Sequence, residues 1–186
     1  IVNKSQLLID KEKDRTRKFL KTDNDEGHPV KLYEFSNEEQ EFSWITKQIT
    51  KYVSEDKFHP NDIAVLFRTN KQKNRFRQIL PSKLKEVKTK TIHKSKGEEY
   101  SLVFIPHLEE GNIPMGYQAG DFAVPDSFKD MGGKYDDDFL THAQEERRIL
   151  YVGMTRAKKE LILTFHEDKK TYQSSFINDI EIRPEN

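Results

Sequence analysis

Cysteine is absent from this chain of 186 residues, so no disulfide framework, thiolate zinc site or cysteine nucleophile can be built from it. Net charge is absent as well: 32 Lys plus Arg stand against 32 Asp plus Glu. No apolar run approaches the roughly 20 residues of a membrane span, and no signal-peptide pattern opens the sequence. The expectation is a soluble, intracellular protein of one domain, long enough to bury a core. Charged and hydrophobic residues each make up 34%, but 12 Phe, 7 Tyr and a Trp argue against disorder.

The zero total conceals two blocks of opposite sign. Between Arg68 and Lys96 eleven basic residues meet one acid, Glu86, so the block carries 11 − 1 = +10. Between Glu98 and Glu146 twelve acids meet Lys129 and Lys134, so the next carries 2 − 12 = −10. Either the blocks neutralise each other in the fold, or the first forms a polyanion-binding face. Composition alone leaves both open.

Periodicity gives alternating elements. Asn3 to Leu20 reads as a helix with a charged second half, and 22–29 as a polar connector. Val30 to Phe35 reads as a strand. Ser36 and Glu39 are spaced as a capping box before a helix whose apolar face is Phe42, Ile45, Ile49 and Tyr52. Asp62 to Phe67 is a doubly buried strand, followed by a basic helix from Lys71 to Leu80 that Pro81 ends. Val87 to Ile92, Leu102 to Ile105 and Leu161 to Phe165 read as further strands. Between Gly111 and Leu140 lies an aperiodic insertion rich in Gly, Pro and Asp. Thr141 and Gln144 are spaced to cap a last long helix running to about Lys158, with Leu150, Tyr151, Met154 and Ala157 inward. Strands alternating with helices predict an α/β fold, a mostly parallel sheet covered on both faces.

Two segments exceed what packing requires. One is Thr91-Ile-His-Lys-Ser-Lys-Gly-Glu-Glu-Tyr100, with Leu102-Val-Phe-Ile-Pro106 and Glu109-Glu-Gly-Asn-Ile-Pro114 behind it. The other is Glu145-Glu-Arg-Arg-Ile-Leu-Tyr-Val-Gly-Met-Thr-Arg-Ala-Lys-Lys-Glu-Leu161. They resemble motifs V and VI of superfamily 1 DNA helicases of the UvrD, Rep and PcrA type. Asp62 to Arg77 resembles that family's motif IVa, and Ser174 to Ile180 the end of its second motor domain. The resemblance spans almost the whole chain, in order.

The resemblance implies a three-layer RecA-like domain, the C-terminal half of an ATP-driven motor. Arg156 falls where the family supplies an arginine finger, a guanidinium that neutralises charge on the transferring phosphoryl group. Glu99 falls on the carboxylate that accepts from the nucleotide's ribose hydroxyls, with Gly97 just before it. Glu98 and Tyr100 depart from the family's usual Leu and Phe. The single-stranded DNA track maps to Arg68, Asn70, Thr91 and His93, groups that bind phosphate without reading sequence. Tyr172 is placed either to stack on a base or to sit in the core. The histidines His28, His59, His107, His142 and His166 show no ligand spacing, and no protein-built metal site is expected.

No Gly-x-x-x-x-Gly-Lys-Ser/Thr loop occurs. The expectation is a fragment: ATP and Mg²⁺ would be held mainly by an N-terminal RecA-like domain of the same polypeptide, and the fragment alone would be inactive. Partners implied are single-stranded or partly duplex DNA and that N-terminal domain, with no membrane and a cytoplasmic, nucleoid-associated setting. Only Pro81 to about Val87 fills the place where the family inserts its 2B accessory domain, so the 1–186 unit is expected to lack it. Two other readings remain: a non-catalytic docking module that kept the motifs as scaffold, or a related motor that remodels RNA polymerase or works beside a nuclease.

Overall fold

A computed structural model describes residues 1–12, 27–116, 135–168 and 171–185, and of 135–139 only the backbone. Its elements are α1 (Val2–Ile9), β1 (Lys31–Phe35), α2 (Glu38–Ser54), β2 (Ile63–Phe67), α3 (Asn70–Ile79), β3 (Lys88–Thr91), β4 (Tyr100–Ile105), α4 (Tyr135–Met154), β5 (Ala157–His166) and α5 (Ser175–Asp179). The five strands form one sheet in the order β1-β5-β4-β2-β3, every pairing parallel. The α/β expectation holds.

Each face has its own core because parallel strands covered on both sides bury successive side chains alternately. Leu32, Ala64, Leu66, Val103, Ile105, Leu161, Leu163 and Phe165 pack with Leu8 of α1, Leu150 and Met154 of α4 and Ile177 of α5. On the other face Ile63, Val65, Phe67, Leu102, Phe104 and Ile162 pack with Phe42, Ile45 and Ile49 of α2 and with Phe76 of α3. Phe76 is the one buried residue of α3. A polar, basic helix is thus held to the sheet chiefly by one ring, which meets Phe42 edge-on at 5.2 Å.

Several boundaries differ from the sequence reading. Asn37, not Ser36, caps α2, its side chain accepting from the Gln40 N–H at 2.9 Å. The helix opens one residue later than the Ser-x-x-Glu spacing suggests, still with Glu38, Glu39 and Glu41 at its positive end. Thr141 caps nothing, because α4 already begins at Tyr135, with three aspartates in its first turn. That helix stops at Met154 rather than Lys158, so Arg156 lies in a turn and Ala157 opens β5. The charged second half of the first predicted helix (13–20), most of the connector (22–26) and 117–134 of the insertion lie outside the described residues.

Candidate functional site

The residues singled out from sequence divide between the two ends of the sheet. At the N-terminal ends of neighbouring strands β4 and β5 stand Gly97, Glu98, Glu99 and Arg156. The backbone ties the starts of these strands together, the Tyr100 N–H donating to the Arg156 carbonyl at 2.8 Å. Arg156 is half-buried. Its Nε donates to the Val152 carbonyl at 2.9 Å, Nη1 to the Glu98 carbonyl at 3.2 Å and Nη2 to the Thr155 hydroxyl at 3.1 Å. The guanidinium is therefore fixed beside the Gly97–Glu99 turn instead of sweeping through solvent. Gly97 has φ +83, a left-handed conformation that a side chain disfavours. Glu99 is exposed.

Glu98 and Tyr100, the two departures from the family pattern, are partners. The Tyr100 hydroxyl donates to the Glu98 carboxylate, which also receives Lys90 Nζ at 2.5 Å. The bonds from Lys90 and Tyr100 hold the Glu98 carboxyl below its ordinary range. Burial, then the neighbouring Glu98 charge, pushes the Tyr100 hydroxyl up. An acid in place of Leu is accommodated because a phenol and an ammonium receive it.

At the opposite end, β2 and β3 deliver the predicted track. Asn70 is exposed at the first position of α3, its Oδ1 accepting from Lys73 Nζ at 3.1 Å. Thr69 makes a reciprocal capping box with Gln72 that fixes this helix start. His93 is exposed in a short 3-10 turn (Ile92–Ser95), whereas Thr91 is buried at the last position of β3. Arg68 does not reach solvent freely. Its Nη2 lies 2.7 Å and its Nε 3.0 Å from the two oxygens of buried Glu146. Tyr172 is 59% exposed, so its ring is not part of the core.

The charge blocks meet at only two points among the described residues, Arg68–Glu146 and Lys90–Glu98. Lys71, Arg77, Lys83, Lys85, Lys94 and Lys96 are exposed and make no ion pair among the described residues. The basic block is thus neutralised by the acidic one at two residues, and these six cations are left facing solvent.

Sequence reading missed a third cluster. Glu41, His107, Glu109 and His166 bring together ligand-type atoms within 4.8 Å of one another. Burial works to lower both histidine pKa values, but the surrounding carboxylates outweigh it. His107 is raised to about 9 by Glu109, Glu38 and Glu41, and His166 to about 10 by Glu109 and Glu41. Burial opposes ionisation of Glu109 too, and bonds from His107 and His166 still hold its carboxyl near 2. The only sequence signal is the His107-x-Glu109 spacing just after β4. That β5 runs beside β4 and ends at His166 cannot be read from spacing.

The family model for the UvrD-like helicase C-terminal domain matches residues 1–84 and 77–168. The chain belongs to that family. This UvrD-like domain is 38% identical over 97 residues to DNA helicase II of Rickettsia typhi, covering 48% of the chain and 12% of that protein. It is 29% identical over 136 residues to ATP-dependent DNA helicase Rep of Escherichia coli K12, covering 73% of the chain and 17% of that protein. The chain thus spans less than a fifth of the length of these relatives. Its fold resembles the C-terminal domain of a possible DNA helicase from Lactobacillus plantarum WCFS1, with TM-score 0.59, 12% identity and coverage of 96% of this chain and 88% of that one. The three-layer RecA-like architecture of a helicase C-terminal domain is therefore shown. Among the described residues no helix is long and apolar enough to cross a membrane.

Proposed function

We propose that this domain is the C-terminal motor half of an ATP-dependent translocase and helicase acting on single-stranded DNA. What carries the reading is the separation of the two residue sets: Arg156 beside Gly97 and Glu99 at one end of the sheet, Asn70, His93 and the Arg68 pair at the other. A motor needs both, a nucleotide-facing edge and a DNA-facing edge joined by a rigid sheet.

The nucleotide-facing residues fit ATP with Mg²⁺ held mainly by another domain of a longer polypeptide. Exposed Glu99 offers a carboxylate that can accept from ribose hydroxyls, and Arg156 presents a fixed guanidinium. ATP supplies the phosphoryl group whose transfer drives the cycle. Arg156 holds positive charge where that group's oxygens become more negative. At the other edge Asn70, His93 and Tyr172 contact the strand, while Arg68 and Thr91 set the shape of the strand ends that present them. The family match in two pieces meeting at 77–84 supports the absence of an inserted 2B domain. A single 3-10 turn, Ser82–Leu84, occupies that point.

The test is Arg156→Ala in the full-length polypeptide. DNA-stimulated ATP hydrolysis is expected to fall about 10³-fold or more, the scale of an arginine finger, with single-strand affinity within about twofold of wild type. Near-normal turnover refutes the assignment.

A further inference from the structure

We propose that Glu41, His107, Glu109 and His166 form a four-coordinate site for a divalent zinc-class ion, built at the C-terminal ends of β4 and β5. The inference rests on the cluster's own geometry and is independent of the motor reading. Glu41 comes from the first turn of α2, His107 and Glu109 from the segment after β4, and His166 from the last position of β5. The set of two imidazoles and two carboxylates suits zinc.

Distances carry the argument. His107 Nδ1 lies 3.6 Å from Glu41 Oε2 and 3.5 Å from Glu109 Oε2, and His166 Nδ1 lies 3.1 Å from Glu41 Oε2 and 2.8 Å from Glu109 Oε1. A tetrahedral zinc with bonds of about 2.0–2.1 Å sets its ligand atoms about 3.3 Å apart. The His166 spacings also suit direct hydrogen bonds, whereas the longer His107 spacings lie nearer the tetrahedral separation. His107 is 4% exposed, with Nδ1 turned into the cluster, and its Nε2 is buried with no hydrogen-bond partner. It also sits at φ +62, where a residue other than glycine is strained. A shared ion would bind this ring at Nδ1 on the cluster side, while Nε2 keeps facing Glu38.

The surroundings are those of a ligand shell. The second oxygen of Glu41 accepts from the His107 N–H at 3.0 Å and from the Thr164 hydroxyl at 2.5 Å, leaving Oε2 to the rings. Glu109 Oε1 accepts the His166 N–H at 3.0 Å, leaving Oε2 toward His107. His107 Nε2 faces Glu38 Oε1 at 3.4 Å, the carboxylate that a metal-bound imidazole commonly orients against. Binding replaces any Nδ1 proton on each ring with a metal–nitrogen bond and releases it to solvent. One divalent ion carries the charge of two imidazolium protons, so the buried cluster keeps its balance.

The experiment uses the full chain, stripped with chelator and dialysed against Zn²⁺, with metal counted by elemental analysis and Co²⁺ as a spectroscopic probe. One zinc per chain and the intense visible bands of four-coordinate cobalt are expected. His166→Gln and Glu109→Gln should each weaken binding at least tenfold, while exposed His28→Gln leaves it unchanged; circular dichroism verifies that each variant is folded. No zinc retained by folded wild type, six-coordinate cobalt, or equal binding by the Gln variants overturns the proposal.

Discussion

Arg68 and Glu146 form a two-pronged ion pair at the C-terminal edge of the sheet, with side chains 16% and 2% exposed. Glu146 Oε2 also accepts the Met115 N–H at 3.0 Å, so one carboxylate joins β2, α4 and the start of the insertion. Breaking a buried pair by deleting one partner strands the other charge, at a cost of about 3–5 kcal/mol. Glu146→Ala is expected to lose about 3 kcal/mol in urea unfolding, discounted because Arg68 keeps some solvent. Replacing both, with Arg68→Met and Glu146→Leu, should recover more than half. A double variant no more stable than the single one would show that the Met115 anchor, not the charge pair, dominates.

Gly153 of α4 packs closely against Ile105 of β4 and Ile92 of the 3-10 turn. A Cβ there would lie 3.0 Å from Ile105 Cδ1 and 3.3 Å from Ile92 Cδ1. Both isoleucines are fully buried. In an open helix Gly→Ala would stabilise by about 1 kcal/mol, but overpacking a filled core costs about 1–3 kcal/mol. Gly153→Ala is expected to be net destabilising by about 1 kcal/mol. Adding Ile105→Val removes the closest atom, so a double-mutant cycle should show favourable coupling. A stabilised single variant would mean that the isoleucines yield without cost.

How far such features are legible in sequence depends on whether their cause is local. The doubly buried β2 and β4 announce themselves as apolar runs, and the apolar spacing of α2 is visible residue by residue. Caps are harder because one pattern has two outcomes. Thr69-x-x-Gln72 does open α3, while Thr141-x-x-Gln144 sits inside α4 because the helix continues backward through Tyr135. The Arg156 neighbourhood was legible through its motif, though the turn that holds the residue was not. The Glu98–Tyr100 bond explains two departures that look unrelated when read singly. The histidine–glutamate cluster was not legible, since it depends on α2, β4 and β5 converging in space.

Tyr52 gives the molecule an alkaline signature. Burial, and then the Glu160 carboxylate that its hydroxyl meets at 3.2 Å, raise its pKa from about 10 to about 12. The folded state keeps the proton that the unfolded chain gives up. This contribution is therefore full below about pH 10 and is lost as pH rises through about 12. Tyrosinate absorbance should show Tyr52 titrating late, alongside Tyr33 and Tyr100, whose hydroxyls are raised as well, and Tyr52→Phe should shrink that late phase by one ring. A Tyr52→Phe chain with the same late phase would disprove the assignment.

Tyr172 separates a stacking ring from a structural one. Its side chain is exposed, while its backbone carbonyl accepts from the Glu110 N–H at 3.0 Å, so the main chain rather than the ring fixes its place. Surface truncations of this kind usually change stability by less than about 0.5 kcal/mol. Loss of one aromatic–base stack costs about 1–3 kcal/mol of binding. In the full-length polypeptide Tyr172→Ala should therefore leave the melting transition in place and weaken single-strand binding at least about fivefold. Tyr172→Trp should keep the affinity, because any large aromatic face can receive a base. If alanine left binding unchanged at low salt, Tyr172 would have to be removed from the proposed track, leaving the contacts proposed for Asn70 and His93 without an aromatic partner.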